Sequence, residues 1–406
     1  MQYHALALAE TCEVDLIGSA GTALSACVRQ HPHIRCRQLA ARGGERRRDG
    51  RGFVIAAGLR AGCQLLALGS ALMARRRRPD LIIVQTPPAF PTLLVAAVAA
   101  RMRRAKLVID WHNFGYAMLA LKLGARHPVV TLSRRGEGWI GRGAQAHLCV
   151  SSAMQAQLRA QWNIDATVLY DRPAAMFAPR AAGERAAALQ RFADVVRLPT
   201  GNGAAAGCAL IVSPTSWTLD EDFSLLIDAA VALDDRIQRY DASAGTAPFP
   251  HLLIVATGHG PLRAAYERRV ASLALRKVHL RTAWLPPDDY PALLAAADLG
   301  LCLHRSASGA DLPMKVVDLF GCGVPVCAFD YGPCVTEQIR HGENGLLFSS
   351  SAQLAEQLFE LFAAFPARAA QLEALRRGVA RPMLRWADGW KLEAEPVLSA
   401  LLEDRR

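Results

Sequence analysis

The chain has 406 residues, 47 of them Lys or Arg against 36 Asp or Glu, for a formal net charge of +11. With 52% hydrophobic and 20% charged residues, a disordered chain is excluded and two or three domains with substantial cores are expected. Ten cysteines without a C-x-x-C pair speak against a zinc site or a disulfide scaffold and for a reducing compartment, and the basic surplus suits phosphates, anionic lipid or nucleic acid.

In chain order, the first pattern is helical, Gln2 to about Glu10. Short β-rich runs at 14–18, 81–85, 107–110, 147–150 and 167–170 alternate with Ala/Leu helices, which predicts a parallel βαβ sheet. Phe53 to Ala74 is unusually apolar, with only Arg60 and Gln64 strongly polar, and Arg75, Arg76, Arg77 and Arg78 follow at once. Two readings fit: a helix resting in a membrane interface with the arginines on lipid phosphates, or a buried crossover helix with a solvated charged end. Residues 173–207, rich in Ala, Arg, Gly and Pro, read as a linker with one helical piece. The alternation restarts at 209–213, 252–256, 278–280, 299–303 and 325–328, and the last stretch is helical. The expected organisation is therefore 1–172, linker 173–207, 208–350, and helices at 351–406 that pack back across the domains. Two doubly wound α/β domains place ligands at the carboxyl ends of their strands.

The richest string runs from Ser308 to Val326: a turn to Pro313, a helix from Met314 to about Phe320, then Gly321-Cys322-Gly323 and a buried strand. The helix N-terminus offers N–H groups and a positive dipole to a phosphate, and Lys315 adds a cation there. Asp318 shares a helix face with Lys315 and is able to accept ribose hydroxyls; a surface ion pair is the bland alternative. Asp110 and His112 follow a buried strand, where an imidazole can titrate or bind a sugar hydroxyl, while Trp111 reads as core. The hydroxyls and N–H groups of Thr215, Ser216 and Trp217 can bind diphosphate oxygens, and Asp220-Glu221-Asp222 can equally be helix-start acids. Gly258 and Gly260 allow close backbone approach. Glu337 reads as a helix N-terminal acid or a donor contact. No strand–G-x-G-x-x-G–helix unit is present, which sets aside a nicotinamide-dependent dehydrogenase.

The string with Cys322-Gly323-Val324-Pro325-Val326 resembles the donor-nucleotide motif of the glycosyltransferase-B fold. There an acid five positions before the Gly holds the donor ribose, Asp318 here. Gly309 to Lys315 resembles, more narrowly, the β-mannosyltransferases of the dolichol pathway. So do Asp110 to Tyr116, Tyr170 to Pro173, Thr215 to Thr218 with Glu221 to Phe223, Thr257 to Leu262, Pro286 to Tyr290, and His341 to Leu346. His259 departs from the family, which often has Lys there. The resemblance implies two Rossmann-like domains facing a cleft, with the donor held by Thr215, Ser216, Trp217, Gly258, Gly260, Asp311, Lys315, Asp318 and Glu337. Asp110 and His112 are implied for sugar positioning or as base, with Arg75 to Arg78 as a membrane patch. It further implies GDP-mannose as donor, dolichol-diphosphate-linked chitobiose as acceptor, inverting β-1,4 transfer and no nucleic acid. A membrane surface (the cytosolic face of the endoplasmic reticulum) and other mannosyltransferases of the pathway are implied partners. No obligatory protein-bound metal is implied, Mg²⁺ carried on the nucleotide being the alternative. A retaining transferase of the same fold and a non-catalytic lipid-binding relative are the competing readings. The family carries a membrane anchor, a strand and a Gly/Asp/Arg loop ahead of the first helix, so the first strand of the N-terminal domain is expected to be missing from this chain.

Overall fold

This computed structural model describes residues 1–20, 24–39, 51–74, 78–193, 208–243, 248–286, 288–366 and 369–403; within these, the side chains of residues 51–61 and of residue 182 are not described. Arg75, Arg76 and Arg77 of the expected membrane patch, and 194–207 of the expected linker, lie outside the described residues; Arg78 is exposed. Two compact units form, Met1–Tyr170 with Trp386–Arg406, and Asp171–Arg385.

In the first unit, β1 (Val14–Ser19) pairs in parallel with β2 (Ile34–Leu39), Val14 opposite Ile34. A separate four-stranded parallel sheet has the order β3 (Leu81–Thr86), β4 (Lys106–Trp111), β5 (Ala146–Cys149), β6 (Thr167–Val168). Helices α1 (Gln2–Leu8), α2 (Ala26–Gln30), α3 (Arg51–Met73), α4 (Thr92–Arg103), α5 (Gly115–Leu123), α6 (Pro128–Gly141) and α7 (Ser152–Trp162) complete it. β4 runs almost wholly buried from Leu107 to Trp111, as a central parallel strand covered on both faces should. β2 escapes sequence reading because its middle residues are exposed and include Arg35, Arg37 and Gln38, so no apolar run marks it.

The second unit is a six-stranded parallel sheet with the order β12 (Gly345–Phe348), β11 (Val326–Phe329), β10 (Leu299–Cys302), β7 (Cys208–Pro214), β8 (His251–Thr257), β9 (Val278–Ala283). Buried helices cover both faces. The order reverses between β7 and β10, so the crevice outside their carboxyl ends is where a ligand belongs. β12 is buried throughout at the edge of this sheet, and sequence reading passed over it.

Two expected boundaries need correction. The helix Ala182–Arg191 lies in the second unit rather than in a free linker: Ala188 and Phe192 are in its core. Arg185 bonds the Ala296 carbonyl at 2.8 Å and the buried Asp298 carboxylate. The helices Ser351–Phe362 and Ala370–Val379 also belong to that unit, through Leu354, Leu358, Leu372 and Leu375, and through Arg376, which reaches Asp298 at 2.8 Å. Only the segment from Trp386 onward joins the first unit, where Trp390, Ala394 and Leu398 cover Val108, Leu148 and Leu169.

One buried carboxylate fixes the loop after β4. Glu137, on α6 and 0% exposed, accepts the N–H groups of Gly115 at 3.0 Å and Tyr116 at 2.8 Å and the Ser133 hydroxyl at 2.8 Å. It thereby caps the start of α5, and burial pushes its pKa up to about 7. The backbone is tight here, since a Cβ on Gly115 would stand 2.5 Å from that of Ala89. Glu137→Ala, which strands these buried donors, is expected to cost about 2–3 kcal/mol in chemical denaturation; Glu137→Gln, which keeps an acceptor, is expected to recover part of that loss.

Candidate active site

The loops after β7 and β10 flank the switch point of the second unit, and a chain of acids ties them together. Asp220, Glu221 and Asp222 are consecutive, yet each has a different partner. Asp222 caps the following helix by accepting the Ser224 N–H at 3.1 Å, one of the helix-start roles foreseen for this triplet. Asp220 accepts from His304 Nδ1 at 3.2 Å, while Asp311 accepts from His304 Nε2 at 3.0 Å. Burial opposes charging of this imidazole, but the two carboxylates prevail and raise its pKa to about 9, so His304 is a cation at neutral pH. Asp220 is held well below the usual carboxylate range, first by its bond from His304. Burial works to raise Asp311, yet His304, Ser306 and Ser308 together hold it low. His304 was missed by sequence reading, because it follows β10 with no motif around it.

Glu221 is the centre of the β7 loop. Its side chain is 1% exposed and forms an ion pair with Lys315. It also accepts the Ser216 and Trp217 N–H groups, each at 3.1 Å, and the Thr215 hydroxyl. Thr215 in turn accepts the Trp217 N–H at 2.9 Å, and Lys315 Nζ stands 3.5 Å from Ser216 Oγ. Lys315 therefore does not pair with Asp318, three residues along the same helix. Trp217, taken as a donor contact, is 0% exposed and stacks on Phe223 with ring centroids 4.3 Å apart. Its indole is enclosed, so it anchors the loop from within the core.

Gly258 and Gly260 are required for a reason other than nucleotide approach. A Cβ at Gly258 would lie 1.9 Å from the Thr215 carbonyl oxygen, and one at Gly260 would lie 2.0 Å from that of Ser216. The glycine loop is thus packed against the β7 loop, with Gly258 at φ +121°. Asp318 lies on the helix Met314–Gly321, where the Tyr290 hydroxyl donates to it at 3.4 Å. Burial pushes its pKa up to about 7, helped by the charge of Asp171. Glu337 ends, rather than begins, the short 3₁₀ turn Pro333–Glu337 and is half-buried.

In the first unit, Asp110 is the penultimate residue of β4 and only 1% exposed. His112 Nε2 donates to Asp110 Oδ2 at 2.9 Å, and His4 Nε2, from α1, reaches the same oxygen at 3.3 Å. His4 is nearly buried; desolvation lowers its pKa to about 4 against the pull of Asp110, so it is neutral. Its ring lies between Trp386 and Trp390, at centroid distances of 5.1 and 5.0 Å. Burial alone would raise the Asp110 pKa, but the His112 charge and hydrogen bond, with His4, keep it below normal. The three ligand atoms lie within 4.8 Å of one another, a set able to hold a metal ion. The sequence pointed to Asp110 and His112; His4 is too distant in the chain for any spacing to have included it.

Two parallel-sheet units, the second carrying a cation-bearing βα crevice, define a glycosyltransferase of the two-domain, doubly wound class. Family models agree: a glycosyl transferase 4-like domain matches residues 1–170 and a glycosyl transferases group 1 domain matches 223–364. The fold resembles that of Anabaena HepE in complex with UDP and glucose, at TM-score 0.66 and 18% identity, over 98% of this chain and 96% of that one. Among curated relatives, "UDP-glycosyltransferase TURAN" of Arabidopsis thaliana is 39% identical over 99% of this chain and 94% of its own length. The chitobiosyldiphosphodolichol beta-mannosyltransferase of Mus musculus is 37% identical, covering 98% and 86%. That of Arthroderma benhamiae is 42% identical, covering 86% and 77%. The chain belongs to this family of glycosyltransferases.

The His304 clamp sets a pH dependence. A pKa raised from 6.5 to about 9 contributes stability that is complete below pH 6.5 and lost as pH rises through 9. The melting temperature is expected to fall over that window, by the equivalent of about 2–3 kcal/mol. His304→Gln should be less stable than the wild type at pH 6, and the gap between their melting temperatures should narrow as pH rises from 6.5 through 9.

Proposed function

We propose that this chain transfers mannose from GDP-mannose to the 4-hydroxyl of dolichol-diphosphate-linked chitobiose, with inversion, at the cytosolic face of the endoplasmic reticulum. The observation that carries the donor half is the Glu221 network, which holds Lys315 at the loop Thr215–Trp217, beside the Ser216 hydroxyl. Family membership supports the acceptor and the sugar.

In this reading the acceptor oxygen forms a bond to the anomeric carbon while the bond from that carbon to the GDP oxygen breaks. The hydroxyl proton passes to His112, whose imidazolium the Asp110 carboxylate stabilises. Negative charge gathers on the departing diphosphate, where the Lys315 ammonium offers donors beyond the one taken by Glu221. Asp318 accepts the ribose hydroxyls as a carboxylate. Thr215 supports the loop through Glu221 and is a positioning residue. Asp311 acts likewise through His304. No protein-bound metal takes part in this reading, and Mg²⁺ enters, if at all, on the nucleotide.

The deciding experiment supplies lipid-linked chitobiose with GDP-mannose or with UDP-sugars and determines the anomeric configuration of the product. A β-mannoside formed from GDP-mannose alone is expected. An α-linked product, or transfer from a UDP-sugar in its place, overturns the reading.

Donor binding should also carry the titration of Asp318. Because its pKa of about 7 must be crossed for the carboxylate to form, GDP affinity by calorimetry is expected to strengthen from pH 6 to pH 8. Asp318→Asn should bind about tenfold more weakly at pH 8 and lose that slope.

A further inference from the structure

The solvent side of α4 is apolar. From Thr92 to Ala100 its exposed residues are Leu94 and Val98, and Met102 extends the row at 65% exposure. These fall at i, i+4 and i+8, so one stripe of large aliphatic side chains faces water where a surface helix ordinarily carries polar ones. A second stripe lies on α6, where Leu132 and Trp139 are each 70% exposed. Phe90 joins the two: it is 39% exposed, one turn before Leu94, and a Cβ on Gly136 of α6 would stand 2.6 Å from its ring. Hydrophobic surface this continuous on one face marks an interaction site.

The charge around it is one-sided. Residues 92–142 contain nine Lys and Arg and only two acids, Asp110 and Glu137, which are 1% and 0% exposed. Residues 92–142 therefore present no exposed carboxylate, while Arg101, Arg135 and Arg142 are exposed along the stripes. We propose that α4 and α6 form a membrane-contact face that rests in the interface of an anionic phospholipid bilayer. Leu94, Val98, Met102, Leu132 and Trp139 enter the acyl boundary while the arginines meet headgroup phosphates. Four of the five large side chains offered, Leu94, Val98, Met102 and Leu132, are not aromatic and give nucleic-acid bases nothing to stack on, which favours lipid over RNA here. No helix among the described residues is long and apolar enough to cross a membrane, so the contact runs parallel to the surface. None of these residues belongs to the Arg75–Arg78 run, and none takes part in the sugar chemistry.

The full chain is tested by flotation with vesicles of phosphatidylcholine, alone or mixed with phosphatidylserine. Binding to the mixed vesicles, weakened by salt, is expected. Leu132→Gln with Trp139→Gln, and separately Leu94→Gln with Val98→Gln, should each weaken it about tenfold or more. Arg101→Gln with Arg135→Gln and Arg142→Gln should remove most of the salt-sensitive part. An unchanged melting temperature of each variant shows that the first unit still folds, and GDP affinity, expected to stay at the wild-type value, tests the donor reading on its own. Wild-type vesicle binding by both apolar variants overturns the proposal. So does displacement of the chain from vesicles by single-stranded RNA whose own binding falls in the same variants.

Discussion

A single buried carboxylate organises the crevice of the second unit. Glu221 is almost without solvent, and two backbone N–H groups, a threonine hydroxyl and the Lys315 ammonium surround it. Such a group is costly to bury and costlier to strand, which makes the arrangement nearly all-or-none. The loop after β7, the glycine loop packed onto it and the first turn of the helix Met314–Gly321 are thereby held in one geometry. The neighbouring His304 clamp does the same for the loop after β10, with the charges reversed: a buried cation between Asp220 and Asp311. Two neighbouring ion networks thus fix the crevice in one geometry, the kind of preorganisation that electrostatic stabilisation requires.

The first unit uses the same chemistry with a different result. His4 and His112 converge on one oxygen of Asp110, but the two imidazoles are not equivalent. His4 sits between two tryptophans and is neutral; His112 is partly exposed and takes the charge-assisted bond. The segment from Trp386 supplies those tryptophans, so the last part of the chain completes the surroundings of a residue near its start. Glu137 then fixes where the chain turns after His112.

Much of this was legible in the residues. The alternation of buried runs and helices gave ten of the twelve strands among the described residues close to their places, because most are parallel strands with apolar, buried faces. Of the other two, Ile34–Leu39 is polar, while Gly345–Phe348 is buried and apolar and no shorter than strands that were read. Asp110 stands at the end of its strand, His112, Thr215 and Ser216 in loops after strands, and Lys315 in a helix first turn with Asp318 one turn on, where topology puts ligands. The expected linker failed because composition reports where a chain can bend, and Arg185 was paired with an aspartate far along the sequence.

The sequence by itself determined the doubly wound class, the order of its elements and the family, since these depend on local periodicity and on motifs read in a row. Only the tertiary structure decided which charges meet. Lys315 found Glu221 and left Asp318 to Tyr290, Trp217 turned into the core, and His4 and His304 joined sites that no spacing rule connects to them. The reason is physical: the energy of a buried charge depends on distance in space and on the water excluded around it, and neither is a property of neighbours in the chain.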